Sequence, residues 1–305
     1  MRDVLIICTK DRPDQVRTRL SEFTRFEELP DQILVVDSSA DSQTEQVVLN
    51  AVQNIATTLS YLWSSAGLPR QRNVGITWAK ENIQGLQIIH FLDDDIIPNR
   101  DYFTKINDVF RRFPDAIAVG GFDSGLDPGQ NGGILRRMFW LGSKQSGVIL
   151  SSGIAIPPRP RSDVEHTEWL VGATQSFRAS IFDHAMFNPK LRMYGEDIDF
   201  YLRIRGLGDI LCSASLPVIH LNDPTNRESP RNVNLFHNGI RWLFSQEHPE
   251  KISKRKVLVV AFVLGFGELV KSVFTLNIKR LGASIGNFEF LVRIVLRKKV
   301  IQTIQ

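Results

Sequence analysis

The chain has 305 residues, 43% of them hydrophobic and 23% charged, enough for one large domain or one domain with an appendage, and this excludes wholesale disorder. Its two cysteines, Cys8 and Cys212, sit beside apolar runs and read as buried thiols; they supply neither a disulfide framework nor a zinc site. The formal net charge of +4 is unevenly placed: from Lys251 onward eleven Lys/Arg face two Glu, whereas residues 1–250 carry 26 basic against 31 acidic side chains. A mildly acidic body therefore bears a basic tail, with the boundary near SQEHPEK.

The body alternates two kinds of pattern. VLIIC (4–8) reads as a buried strand and starts so early that no signal peptide is expected before it, which points to the cytoplasm. Pro13 to Phe26 opens with a proline suited to a first helical turn, QILVVD (32–37) is the next strand, and Gln43 to Ile55 has helical apolar spacing. QIIHFLD (87–93) is a third strand, with a helix expected over Asp101–Phe113. Strands separated by helices predict βαβ units and a largely parallel sheet, whose ligands bind outside the carboxyl ends of the strands. Three strands end there in useful chemistry: Thr9-Lys10-Asp11, Asp37-Ser38-Ser39 and Asp93-Asp94-Asp95.

The aspartate triplet interrupts an apolar stretch, IIHFLDDDIIP. On an extended chain Asp93 and Asp95 point one way and Asp94 the other. Two carboxylates on one side suit a hard divalent cation, which takes oxygen ligands and shares them with substrate phosphates. The competing reading is a cap, with Asp95 or Asn99 starting the following helix.

Taken in order, VLIICTKDRP, ILVVDSSADSQT, GLPRQRNVGI, FLDDDIIPN, WLVGATQSFR and MYGEDIDFYLRIRGLG resemble the family 2 glycosyltransferases over residues 4–222. The resemblance implies an α/β fold of the GT-A type, Rossmann-like, with a mostly parallel central sheet flanked by helices. It also implies inverting transfer of a sugar from a nucleotide-diphospho-sugar donor to an acceptor hydroxyl, in polysaccharide or lipid-linked glycan synthesis. Asp37 would hydrogen-bond the nucleoside, or else cap the next segment, and Thr9 would lie beside the same base. Arg72 and Asn73 match the family's R-N pair and would meet the diphosphate, to which a guanidinium offers forked donors. Arg70 reads equally as a surface charge. Asp93 and Asp94 would face the donor; Asp93 and Asp95, completed by His220 after the strand SLPVI, would hold Mn²⁺ or Mg²⁺.

Gly172-Ala173 would let a sugar approach, and Trp169 is either a stacking face for a pyranose or a core residue. Asp197 matches the family's base, the Asp of its E-D pair, with Glu196 orienting donor or acceptor. The alternative is that these acids cap a helix. Asp199 stands four residues before Arg203 and is expected to pair with it.

The loop NDPTNRESPRN is expected to form a lid, with Arg231 and His237 as candidate phosphate contacts. Residues 123–163, rich in Gly and Pro, are expected as loops lining the acceptor site. The expected division is 1–225 catalytic, 226–250 lid or linker, and 251–305 a basic helical tail. Two other functions remain open: a catalytically inactive carbohydrate-binding relative, and a sugar nucleotidyltransferase, although CTKDRPDQV lacks the Gly-rich phosphate loop that the latter needs.

In the tail, VLVVAFVLGFG is an apolar run of eleven residues, too short for a bilayer that needs ~20. Extending it adds Glu268 and Lys271, both costly in hydrocarbon. FEFLVRIVLRKKV places Glu289, Arg293 and Arg297 on one face of a basic amphipathic helix, suited to an anionic lipid interface. The alternative is packing on protein. The expected partners are the nucleotide sugar, a glycan or glycolipid acceptor and an anionic membrane surface on the inner face of the cell membrane, with no nucleic acid.

Overall fold

The computed structural model describes residues 1–125, 133–191, 194–221 and 228–298. Their contacts group into two compact units, Met1–Leu126 with Pro157–Asp223, and Asp127–Ile156 with Pro224–Gln305.

The first unit is α/β. In chain order it runs β1 (Asp3–Thr9), α1 (Pro13–Phe23), β2 (Gln32–Asp37), α2 (Gln43–Ala51), β3 (Thr58–Trp63), α3 (Leu68–Asn82), β4 (Ile88–Leu92), β5 (Ile96–Pro98), α4 (Tyr102–Arg112) and β6 (Ala116–Asp123). After α5 (Ile134–Met138), which belongs to the second unit, come β7 (Val164–His166), β8 (Thr174–Arg178), α6 (Glu196–Ile204) and β9 (Asp209–His220). Among the described residues one sheet has the order β3-β2-β1-β4-β8-β6-β9-β5, with β7 also on β9. Its left half, β3-β2-β1-β4, is wholly parallel. Strands β6 and β9 run the same way, while β8, β5 and β7 run against them. The chain reverses its order of winding between β1 and β4, so the crevice at their carboxyl ends is the natural ligand site.

Strands β1 and β2 are apolar on both faces because helices cover both sides of the sheet. Helix α4 turns Tyr102, Phe103, Ile106, Val109 and Phe110 inward, and its last turn carries Arg111 and Arg112, which favour the negative end of the helix dipole. Helix α3 can approach β1 only because residue 75 is glycine: a Cβ there would stand 2.8 Å from Ile6 Cγ2. That approach carries Arg72, one turn earlier, to the crevice. Helices α1, α2 and α4 end within four residues of the expected boundaries. Cys8 and Cys212 are free thiols, both pushed up to about 12 by burial.

The second unit is helical, with α7 (Pro230–Glu247), α8 (Lys254–Thr275) and α9 (Ile278–Val295). The span expected as lid or linker is thus largely helix α7; residues 222–227 of the expected lid loop lie outside the described residues. Its candidate phosphate contact Arg231 instead pairs with Glu289 of α9 at 2.7 Å. His237 is pushed down to about 4, first by burial and then by Arg241. Asn287 is wholly buried, accepts from Asn238 at 2.8 Å and donates to Asn234 at 3.1 Å, a polar clasp that joins α7 to α9.

Two expectations for the tail change. Helix α8 is continuous over 22 residues, twice the apolar run seen in the sequence, and by length and composition it is long enough and apolar enough to cross a membrane. The costly Glu268 is paired with Arg280 at 3.1 Å and with Lys271 at 3.7 Å. The expected amphipathic helix through Arg297 stops at Val295, with Arg297 left-handed at φ 53°.

Candidate active site

The three strand ends meet at the crevice. Asp37, wholly buried at the end of β2, accepts from Ser39 N–H at 3.0 Å and Ser39 Oγ at 2.6 Å, and its second oxygen accepts from Tyr61 Oη at 3.1 Å. The carboxylate makes an Asx turn and is also braced from β3; its charge pushes the Tyr61 phenol up, after burial, to about 12. Trp63, paired with Asp37 in register and 60% exposed, donates its indole N–H to Ser39 O.

The aspartate triplet is not extended. Strand β4 ends at Leu92, and Ile96 N–H donates to Asp93 O at 3.2 Å, so residues 93–96 form a turn and simple alternation does not apply. The turn separates the three carboxylates by role. Asp94 points inward, accepting from Thr9 Oγ1 at 2.7 Å and from Arg12 at 2.9 Å. Asp95 faces His220, with Nε2 3.3 Å from Oδ1, and the hydrogen bond raises the imidazole above its ordinary value. The pairing follows from sheet register, since Ile96 stands opposite His220 where β5 meets β9. Asp93 keeps a third of its side chain exposed and lies 3.7 Å from Arg72.

Arg72 is 1% exposed. It donates to Glu196 Oε1 at 3.1 Å and to Gly172 O at 2.9 Å, and its guanidinium lies 5.6 Å and 5.2 Å from the ring centres of Phe91 and Phe187. Burial works against its charge, but Glu196 and Asp93 more than offset this and hold the group charged. Asn73 uses both ends of its amide on Phe187, donating to its carbonyl at 2.8 Å and accepting from its N–H at 2.9 Å. It thereby fixes the ring under Arg72. Arg70 lies on the surface, bonded to Ser65 Oγ.

Helix α6 opens after Gly195, whose φ of 79° is left-handed, and places Glu196, Asp197 and Asp199 in its first turn. Asp197 accepts from Gly172 N–H at 3.2 Å and from Ile198 N–H at 2.8 Å. Gly172 permits a close approach: a Cβ there would stand 3.2 Å from the Arg72 guanidinium, a tight contact, and 3.4 Å from Asp197, an ordinary one. Burial raises both acids; Glu196 reaches about 7, with the neighbouring Asp197 charge adding to burial and Arg72 opposing it. Asp199 makes the expected i,i+4 pair with Arg203 at 2.7 Å, and Trp169 is a core residue, 7% exposed.

Three residues went unremarked in the sequence. Arg12 reaches Asp94 and stands 3.9 Å from Asp95. Gln71, buried, donates to Thr9 O at 2.8 Å and Val36 O at 3.0 Å, tying the ends of β1 and β2. Tyr61 braces Asp37. Only Arg12 carried a signal, as a cation three residues after the end of β1 and just before the proline that opens α1.

With this geometry in view the comparisons are decisive. Residues 4–183 match glycosyl transferase family 2. The chain belongs to that family. No curated protein matches its sequence. Among solved structures, S. aureus TarS 1–349 in complex with UDP-GlcNAc is 14% identical with a TM-score of 0.53, covering 98% of this chain and 93% of that one. The mannosyltransferase PcManGT from Pyrobaculum calidifontis, in complex with GDP-Man and Mn²⁺, is 12% identical with a TM-score of 0.58, covering 97% and 88%. These likenesses carry the fold, which is GT-A, and the family makes the protein a glycosyltransferase.

Proposed function

We propose that the enzyme transfers a sugar, with inversion, from a nucleoside diphosphate sugar to an acceptor hydroxyl, with Asp197 as the base. The observation that carries this reading is the arrangement around Gly172, whose N–H holds Asp197 and whose carbonyl holds Arg72. With Ile198 N–H as a second donor, Asp197 is aimed by two backbone groups, and burial leaves it more basic than an ordinary carboxylate. Glu196, neutralised by Arg72, orients the donor or acceptor. Asp37 and Thr9 form the nucleoside end of the crevice. Asn73 serves the diphosphate region indirectly, by seating Phe187 beneath Arg72.

A divalent cation suits the residues present. Among the described residues no three His, Cys, Asp or Glu side chains form a closed ligand group. The Asp95–His220 pair with partly exposed Asp93 offers a hard, incomplete donor set, as expected where diphosphate oxygens complete the shell. When bound, the ion would neutralise the departing diphosphate. A cation in one structural neighbour and nucleotide sugars in two support this reading.

We further propose an acceptor from polysaccharide or lipid-linked glycan synthesis, used at the inner face of an anionic membrane; the second unit bears on the membrane part alone. Its helices carry exposed apolar side chains, including Phe262, Phe266 and Phe274, within a basic segment. A panel of nucleotide sugars, assayed for donor hydrolysis and transfer with Mn²⁺ or with EDTA, tests the reading. Turnover that is undiminished in EDTA sinks the metal assignment; no turnover of any donor sinks the activity.

A further inference from the structure

Helices α8 and α9 form a tight antiparallel hairpin. Only Leu276 and Asn277 connect them. Ser284 Oγ donates to Gly265 O at 2.8 Å, Arg280 meets Glu268, and Phe262 packs edge-on against Phe288 with ring centres 6.0 Å apart. Asn277 caps α9 by accepting from Lys279 and Arg280 N–H groups. The corner is therefore well built, yet its side chains are the opposite of what a solvated corner needs: Val273 is 64% exposed, Phe274 84%, Leu276 90% and Ile278 83%.

We propose that this corner is a membrane wedge, in which Val273, Phe274, Leu276 and Ile278 enter the headgroup and upper acyl region of an anionic bilayer while Lys271, Lys279 and Arg280 lie at the lipid phosphates. The proposal rests on the membrane part of the function proposed above and names the surface that makes the contact.

Two independent observations carry it. The first is charge complementarity. The exposed apolar tip is bracketed by Lys271, Lys279 and Arg280, and Glu268, which pairs with Arg280 and Lys271, offsets one of these three charges and leaves the corner net positive. Long basic side chains reach back to phosphates while an apolar tip enters the interface. The second is backbone conformation. Leu276 is left-handed, with φ 49° and ψ 35°. A bulky side chain is an outlier there, where glycine or asparagine is favoured. The left-handed turn itself closes α8, with the Leu276 and Asn277 N–H groups returned to Ser272 O; what the helix ending does not account for is the bulky apolar side chain it holds 90% exposed at the tip.

The same contacts limit the depth. Helix α8 alone has the length to cross a bilayer, but α9 is fastened along it, and Glu268, Lys271, Lys279 and Arg280 would enter hydrocarbon together. Insertion therefore stops about one helical turn, ~5 Å, beyond the cations.

The full-length protein is sedimented with phosphatidylcholine vesicles, with and without phosphatidylglycerol, beside two variants, Leu276→Asn and Phe274→Ser. Wild type is expected to bind the anionic vesicles. Each variant should bind less by on the order of tenfold, as expected for removing one buried apolar side chain. Leu276→Asn should melt no lower than wild type, since asparagine suits the backbone there. Equal binding by wild type and both variants, with loss only in Arg293→Gln/Lys298→Gln, overturns the wedge but keeps membrane attachment. No binding by wild type overturns both, and leaves donor hydrolysis, measured without vesicles, as the separate test of the transferase. A wild-type dimer that both variants convert to monomer, without vesicle binding, assigns the corner to a second copy and overturns the wedge.

Discussion

Arg72 of α3 and Glu196 at the start of α6 form a 3.1 Å ion pair with both side chains withdrawn from solvent. Removing one partner of such a pair strands the other charge, at a cost of about 3–5 kcal/mol. Arg72→Met is therefore expected to lower stability by that order, measured by denaturant unfolding, and to abolish activity. Arg72→Lys should rescue it poorly, because a point charge cannot bond Glu196 and Gly172 as a planar fork does. Near-wild-type stability in Arg72→Met would show that Glu196 is neutral in the folded enzyme.

Asp197→Asn keeps the shape of the side chain but removes the base. Expected is a fall in kcat of ~10²-fold or more with donor KM nearly unchanged. A fully active Asp197→Asn beside an inactive Glu196→Gln would move the base by one residue.

The two buried acids also set a pH dependence. Both have folded values above their unfolded ones, Glu196 near 7 against 4.5, with burial the first cause in each. Between pH ~4.5 and ~7 the folded state holds on Glu196 a proton that the unfolded state has lost, so the contribution of Glu196 to stability falls as pH rises through that window, and the raised Asp197 acts in the same direction. Activity moves the opposite way, since the base works when ionised. The acidic limb of kcat/KM should lie above the ordinary carboxylate range, and Glu196→Gln should flatten the fall of Tm across the window. A limb near pH 4 would contradict this.

Asn73→Ala removes both hydrogen bonds to the Phe187 backbone and leaves its carbonyl and N–H unmatched. The expected loss is about 1–3 kcal/mol of stability, together with reduced activity through a displaced Phe187. Asn73→Asp keeps the acceptor for the N–H but sets a carboxylate oxygen against the Phe187 carbonyl in place of the donor, and should lose at least as much. Equal stability of Asn73→Ala and wild type, by thermal unfolding, would count against the seating role.

Asp95→Asn should weaken metal-dependent nucleotide binding, read by calorimetry with and without Mn²⁺, while Asp94→Asn should chiefly reduce stability, because Asp94 serves Thr9 and Arg12 within the protein. Identical behaviour of the two variants would contradict the division of roles within the triplet.

Much of this protein was determined locally. Buried strands have a continuous apolar signature, so β1, β2 and β4 and the acids that end them are visible in a single sequence, as is the i,i+4 pair Asp199–Arg203. The order of motifs then carries the family. Tertiary structure decided what depends on partners far along the chain. Whether an arginine meets a ligand or a buried acid depends on which loop lies opposite, and Arg72 finds Glu196 124 positions away. Asn73 turned to Phe187, and Asp94 to Thr9 and Arg12, for the same reason: a buried polar group takes the nearest partner the fold supplies. The tail shows it most plainly. Glu268 breaks the apolar run in one dimension, but glutamate suits a helix and α8 continues past it to Thr275, while the hairpin brings Arg280 beside its charge.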